Sequence, residues 1–235
     1  MLNQQSSPLE LQQAITALRA GKGRSVEFLE LKNDLKIFQN NRLRNTYQDL
    51  LEDGSTRKAC RFFLEQLYCT GDVSLRDHQV ERVLPKLERL LPGAAVETIR
   101  KVIYMDYLTE LLDDEICFFI NQKEWLSNVK GKDEAYIKAF REHGRFDLRR
   151  QQLHLVHEVG GSLRKLTRLP FLRGLLGVTR GAAQKANLED FHNFLSAGLD
   201  AFCEINKPTL FFQVIQERET AVLTGIEQGT LSTFT

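Results

Sequence analysis

Apolar residues recur every three or four positions along nearly the whole chain, and this spacing constrains the fold more than any other feature. The longest such run, 96–121, places its apolar residues on one wide face of a helix with 3.6 residues per turn. Neither the alternation typical of strands nor a hairpin turn signal is present. The sequence therefore predicts an all-α protein in which 96–121 forms a central helix.

Turn residues divide this pattern into nine to eleven helices joined by short connections. We expect one bundle-like domain over 1–235, with 1–52 as a peripheral helical arm and 230–235 as a frayed tail. A long helix is expected from Val26 to Leu51, with its charged and amide residues facing water. Ser74-x-x-Asp77 has the spacing of a capping box, with Asp77 in place of the usual Glu, and Gly160-Gly161 is expected to end another helix.

Length, charge and cysteine spacing narrow the class of protein. The 235 residues carry 32 Lys and Arg against 31 Asp and Glu, which argues against nucleic-acid binding by the protein as a whole. No apolar run reaches the roughly 20 residues of a membrane span, and the first residues do not resemble a secretory signal. The four cysteines are widely spaced, which predicts reduced thiols and a cytoplasmic protein. Both a monomer and a homodimer are compatible with this composition.

Positive charge is nevertheless concentrated between 141 and 186, a stretch that contains ten Lys and Arg but only three acidic residues. Basic and apolar residues alternate there, as in segments that bind phosphates or lie on an anionic membrane. The candidate partner is a protein or an anionic macromolecule, and peripheral membrane contact is less favoured. The opposing interpretation is a helical hairpin at Pro170 whose arginines stay solvated. The candidate binding residues are Arg149, Arg150, Arg164, Lys165, Arg168 and Arg173.

Histidines and carboxylates at helical spacing form the second candidate site. His154 can approach both His157 and Glu158 on one helix face, and imidazole and carboxylate groups suit a transition metal. Glu189-x-x-His192 matches half of a di-iron signature, and the other half is absent. His154 or His192 could also meet acidic residues of the central helix, although a solvated face is the simpler interpretation of Asp113-Asp114-Glu115. No complete metalloprotease, nucleophile or phosphate-loop motif is present.

A third candidate is the aromatic motif Phe62-Phe-Leu-Glu-Gln-Leu-Tyr68. Most of its residues suit a helix buried on several sides, whereas Arg61, Glu65 and Tyr68 could form a polar cluster at a groove. The motif resembles the signature of the FFLEELY-motif proteins, and the similarity extends over most of the chain after about residue 40. It covers Val83-Leu-Pro-Lys-Leu-Glu-Arg-Leu-Leu-Pro92 and Ile215-Gln-Glu-Arg-Glu219, while Gln66 replaces the family's second glutamate.

The resemblance implies a helical, intracellular bacterial protein and transfers no catalytic residue, since that family has no agreed activity. From the residues themselves, the favoured function is a non-enzymatic module for macromolecular interaction or regulation that uses the basic face at 145–180. No cofactor is expected in that case. The alternative is a helical enzyme whose histidines and carboxylates bind a metal or cofactor.

Overall fold

The computed structural model describes residues 2–68, 70–91, 93–127, 131–167 and 171–234, with backbone only at 164–167, 171–173 and 175. Within these ranges the chain is all-α, as predicted, and contains no strand. A π-helix at Phe63–Leu67 and a 3₁₀ turn at Cys117–Phe119 supplement twelve α-helices. These are α1 Pro8–Ala20, α2 Val26–Thr46, α3 Gln48–Glu52, α4 Arg57–Phe62, α5 Ser74–Leu90, α6 Gly93–Ile116, α7 Gln122–Ser127, α8 Lys132–His143, α9 Phe146–Thr167, α10 Phe171–Lys185, α11 Glu189–Cys203 and α12 Pro208–Gln228.

Helix α6 is central, as its apolar face predicts. It packs against α1, α2, α5, α8 and α9, while α9 also packs along α12. One core cluster lies between α1, α5, α6 and α9, and a second joins α2 and α8 to the end of α12. A third, rich in phenylalanine, joins α4 to α11 and α12.

The N-terminal helices contribute to this core. Leu11 and Ile15 of α1 are fully buried against α5 and α6, and Leu31 and Leu35 of α2 are buried in the second cluster. Ser7 and Glu10 form a capping box at the start of α1, which satisfies backbone donors that a helix end leaves free. The residues expected to form an arm therefore bury apolar surface against α6.

Several predicted boundaries are wrong for local reasons. The helix expected over 26–51 ends at Thr46, because Tyr47 leaves the helical region before α3 begins. Gly160-Gly161 lies inside α9 and does not end it. Asp77 does not cap α5, since its side chain binds Arg19. In the tail, Phe234 packs on the second cluster and its N–H donates to Asp133.

None of the helices within the described residues combines the length and the apolar character that crossing a membrane requires.

Gly160 has a packing role that explains why α9 continues past it. A Cβ atom at this position would overlap the ring of Phe212 on α12, whereas a Cβ at Gly161 would meet nothing within 4 Å. The missing side chain lets α9 and α12 approach closely.

We therefore expect Gly160→Ala to destabilise the protein and Gly161→Ala to stabilise it. The first substitution forces Phe212 to move, which costs about 1–3 kcal/mol. The second removes a flexible residue from a helix interior and gains up to about 1 kcal/mol. Urea denaturation of both variants measures the difference, and equal midpoints would contradict this account of α9–α12 packing.

Candidate functional site

One face of α6 carries carboxylates that are buried rather than solvated. Arg19 of α1 contacts carboxylates of two helices: its Nη1 lies 2.8 Å from the buried Asp77 of α5, and on α6 its Nη2 lies 2.7 Å from the partly buried Asp106 and its Nε 3.0 Å from the buried Glu110. Burial lowers the pKa of Arg19, but these carboxylates outweigh it and raise the pKa above the ordinary value. The guanidinium thus joins α1, α5 and α6.

Two lysines of α2 extend this contact. Lys36 Nζ lies 2.6 Å from Glu110, and the buried Lys32 lies 3.5 Å from Glu110 and 3.3 Å from Asp114. Burial raises the pKa of Glu110, but Lys36, Arg19 and Lys32 outweigh it and lower the pKa to about 2. We call the set the buried ionic cluster; its members are Arg19, Lys32, Lys36, Asp77, Asp106, Glu110 and Asp114.

A second polar group surrounds Asp113, which is completely buried on α6. Gln39 of α2 donates to Asp113 Oδ1 over 3.1 Å and to the Tyr136 hydroxyl over 3.2 Å, and it accepts from Tyr68 over 2.9 Å. Arg149 Nη2 of α9 lies 3.8 Å from Asp113 Oδ1. Burial raises the pKa of Asp113 despite the nearby Arg149 and Lys36. We call Gln39, Tyr68, Asp113, Tyr136 and Arg149 the Asp113 cluster.

The aromatic motif connects this cluster to the surface. Its π-helix ends at Leu67, and Tyr68 then leaves the helical region with its hydroxyl toward Gln39. A π-helix shifts the backbone hydrogen bonds by one residue, and such segments are frequent at functional sites. Asn40 satisfies two carbonyl oxygens here, donating to Leu64 over 2.7 Å and to Tyr68 over 2.8 Å.

The polar residues predicted from the motif lie in two different environments. Tyr68 points inward to the Asp113 cluster, and burial raises its pKa. Glu65 is half-exposed and lies 3.7 Å from Arg44 of α2, while Arg61 is exposed. A groove of about 390 Å³ runs beside the motif and includes Asn40, Arg44, Glu65 and Asp72 in its walls.

The histidines occupy different environments. His154 and His157 are exposed on α9, and His154 Nε2 lies 3.9 Å from Glu158, which also pairs with Lys101. His192 is buried on α11, with its Nε2 2.8 Å from the carbonyl oxygen of Leu176. Among the described residues, no three His, Cys, Asp or Glu side chains are placed to hold one metal ion.

The basic stretch is described only in part. Arg150 of α9 pairs with Glu227 over 2.8 Å, and Arg149 points into the interior. Arg180 on α10 is exposed. The side chains of Arg164 and Lys165 and those of Arg168 and Arg173 lie outside the described residues.

An aromatic surface lies at the C-terminal end of α6. Phe118 is 61% exposed and Phe119 is 42% exposed. The ring of Phe118 lies 5.1 Å from that of Phe28 at the start of α2, and the guanidinium of Arg24 lies within 4.9 Å of both ring centroids. Arg24 is also 2.5 Å from the buried Asp114. We call Arg24, Phe28, Phe118 and Phe119 the aromatic edge.

The buried carboxylates and the aromatic edge are the features that the sequence interpretation missed. The expectation of a solvated face at Asp113-Asp114-Glu115 is wrong for the first two residues, which are buried. Their spacing contained the signal: Asp106, Glu110, Asp113 and Asp114 repeat at intervals of four, three and one, so they share one helix face. The central helix of the fold therefore carries an acidic stripe that needs buried cations.

We expect Arg19→Met to lower the free energy of unfolding by about 3–5 kcal/mol, because it leaves three carboxylates without their shared cation. Arg150→Met is the matched control, since it removes an exposed pair with Glu227 and costs at most about 1 kcal/mol. Urea denaturation at pH 7 compares them. Equal losses in the two variants would show that the contact of Arg19 with α5 and α6 is not needed for stability.

Comparison with known families places the chain. A family model described as a domain of unknown function (DUF8198) matches residues 19–233. Neither the curated proteins nor the solved structures contain a match. The matched range begins at Arg19 and includes α2 to α12, so it contains every member of the buried ionic cluster. The chain therefore belongs to the DUF8198 family.

Proposed function

We propose that this chain is a macromolecular-interaction module and that the aromatic edge is its docking surface for a protein partner. The observation that carries this proposal is the exposure of two consecutive phenylalanines beside a fixed arginine. Aromatic residues and arginine are enriched where protein interfaces concentrate their binding energy. Large apolar side chains that remain grouped in water are typical of such sites.

The aromatic edge is held in position before any partner binds. Arg24 is held by an ion pair with Asp114 and by cation–π contacts with the rings of Phe28 and Phe118. Gln122 of α7 donates to the carbonyl oxygen of Glu27 over 2.7 Å, which links the start of α2 to the segment after Phe119. A surface that is already ordered loses less conformational entropy when it binds.

Site-directed photo-crosslinking tests this surface. With p-benzoylphenylalanine in place of Phe118, we expect one discrete adduct after irradiation in the cells from which the sequence derives. The same probe at Leu90, which is 79% exposed, is the matched control for an exposed apolar position away from the edge. Arg24→Ala should weaken the Phe118 adduct, because the ring then loses its stacked cation.

Irradiating the purified chain alone tests for one specific partner, a second copy of the chain. An adduct of twice the chain mass would mean that the edge binds a second copy. A heavier adduct formed only in cells would mean a different protein, which mass spectrometry then identifies. Identical patterns from the probes at Phe118 and Leu90, or no adduct from either, would overturn the proposal.

The basic face remains a second proposed surface, for an anionic macromolecule. Arg180 and Lys185 are exposed on α10, which supports it. Arg149 and Arg150 contribute less, because they face Asp113 and Glu227.

We expect simultaneous substitution of Arg164, Arg168 and Arg173 by Glu to lower the salt concentration at which the chain elutes from immobilised heparin. Fewer polyanion contacts reduce the number of counterions released on binding. Arg150→Glu, which removes one paired arginine of the same stretch, is the control. Elution of the triple variant at the salt concentration of the unmodified chain would reject this surface.

Three further interpretations stay predictions. The first is that a transition metal binds His154, His157, Glu158 and His192. Elemental mass spectrometry on protein purified without chelator tests it. The second is membership of the bacterial FFLEELY-motif proteins, which rests on the resemblance of the motif. The third is a cytoplasmic location, which rests on the composition.

A further inference from the structure

Arg149 presents an unpaired edge to the protein interior. The residue is only 8% exposed, its guanidinium lies 5.0 Å from the centre of the Phe140 ring, and its Nη1 lies 3.5 Å from Gln152. Nε and Nη2 are buried, and no described residue accepts a hydrogen bond from either. These two donors lie on the same side of the guanidinium, the side that binds the two oxygens of a carboxylate in parallel.

Asp113 is too far away to complete this edge. Its Oδ1 lies 3.8 Å from Nη2, whereas charge-assisted hydrogen bonds of this type measure about 2.7–2.9 Å. Asp113 instead accepts from Gln39 over 3.1 Å, with the Tyr68 hydroxyl 3.5 Å from its other oxygen. A buried ion pair repays its desolvation only when its geometry is close, so this pair is incomplete.

Other donors lie near Arg149. The Tyr136 hydroxyl accepts from Gln39, which leaves its own proton free to donate. Arg42 Nε is also buried and has no acceptor among the described residues, although both of its Nη atoms bind Glu219. Arg149 and Arg42 together therefore leave three buried donors without an acceptor among the described residues.

We propose that the Nε–Nη2 edge of Arg149 binds a small monocarboxylate inside the Asp113 cluster. Two oxygens in one plane match the two parallel donors. A single negative charge is favoured because one guanidinium must balance the ligand while Asp113 is close by. The proposal is independent of the docking function of the aromatic edge.

Asp113 determines how the site tolerates a second carboxylate. Burial raises its pKa, and a protonated Asp113 can donate to the ligand where the ionised form would repel it. The charged and titratable groups around Asp113 and its neighbours are Lys36, Arg42, Tyr68, Glu110, Cys117, Tyr136 and Arg149.

Acetate is the probe for the experiment. The melting temperature of the full chain is measured against sodium acetate, with ionic strength held constant by sodium chloride and with incubation to equilibrium because the edge is buried. We expect a saturable rise in melting temperature, since a ligand that binds only the folded state stabilises it. Saturation-transfer NMR on the acetate methyl group should detect the same binding without reference to stability.

The matched variants are Arg149→Lys and Arg150→Lys. Lysine keeps the charge of Arg149 but lacks the paired donors, so the acetate-dependent rise should disappear. Arg150→Lys alters an exposed neighbour and should keep it. An equal rise in both variants would overturn the proposal, as would the absence of saturation transfer to the unmodified chain. If a buried water occupies this edge of Arg149 in place of a carboxylate, acetate will show no saturation transfer.

Discussion

The contact of Arg19 with three carboxylates is the interaction on which the arrangement of the helices depends. Glu110 is buried on the central helix α6, where a lone carboxylate would cost several kcal/mol, and the partly buried Asp106 lies one turn before it. A cation from α1 and two from α2 remove that cost only when both helices lie against α6. The ionic contacts therefore specify which helices surround α6, while the apolar residues supply most of the stabilising burial.

The aromatic motif shows how backbone geometry and buried polar groups support each other. Phe62 and Phe63 pack among Phe202, Phe211 and Phe212, which holds the start of the motif in the core. The π-helix follows directly, and the Tyr68 hydroxyl just after it donates to Gln39. The adjacent residue, Asn40, satisfies the carbonyl oxygens that this geometry frees. The consecutive amides of α2 thus hold the motif on two sides.

Periodicity was sufficient to predict the helices and the central place of α6, because both depend on local spacing. It failed where tertiary contacts override a local signal. Asp77 stands where a capping residue is expected, but Arg19 offers a stronger partner. Gly160 resembles a helix stop, but Phe212 uses the space above it. The convergence of Gln39, Tyr68 and Arg149 on Asp113 involves four segments far apart in sequence, so no spacing rule could reveal it.

Asp114 links the interior of the molecule to the surface proposed for docking. Its Oδ1 lies 3.3 Å from the buried Lys32 and its Oδ2 lies 2.5 Å from Arg24, whose guanidinium stacks on Phe28 and Phe118. An exposed arginine normally samples many rotamers and loses that freedom when it binds. Here the carboxylate of Asp114, which also pairs with the buried Lys32, holds the Arg24 side chain in one place. The same ionic contacts that order α1 and α2 around α6 therefore also fix the aromatic edge.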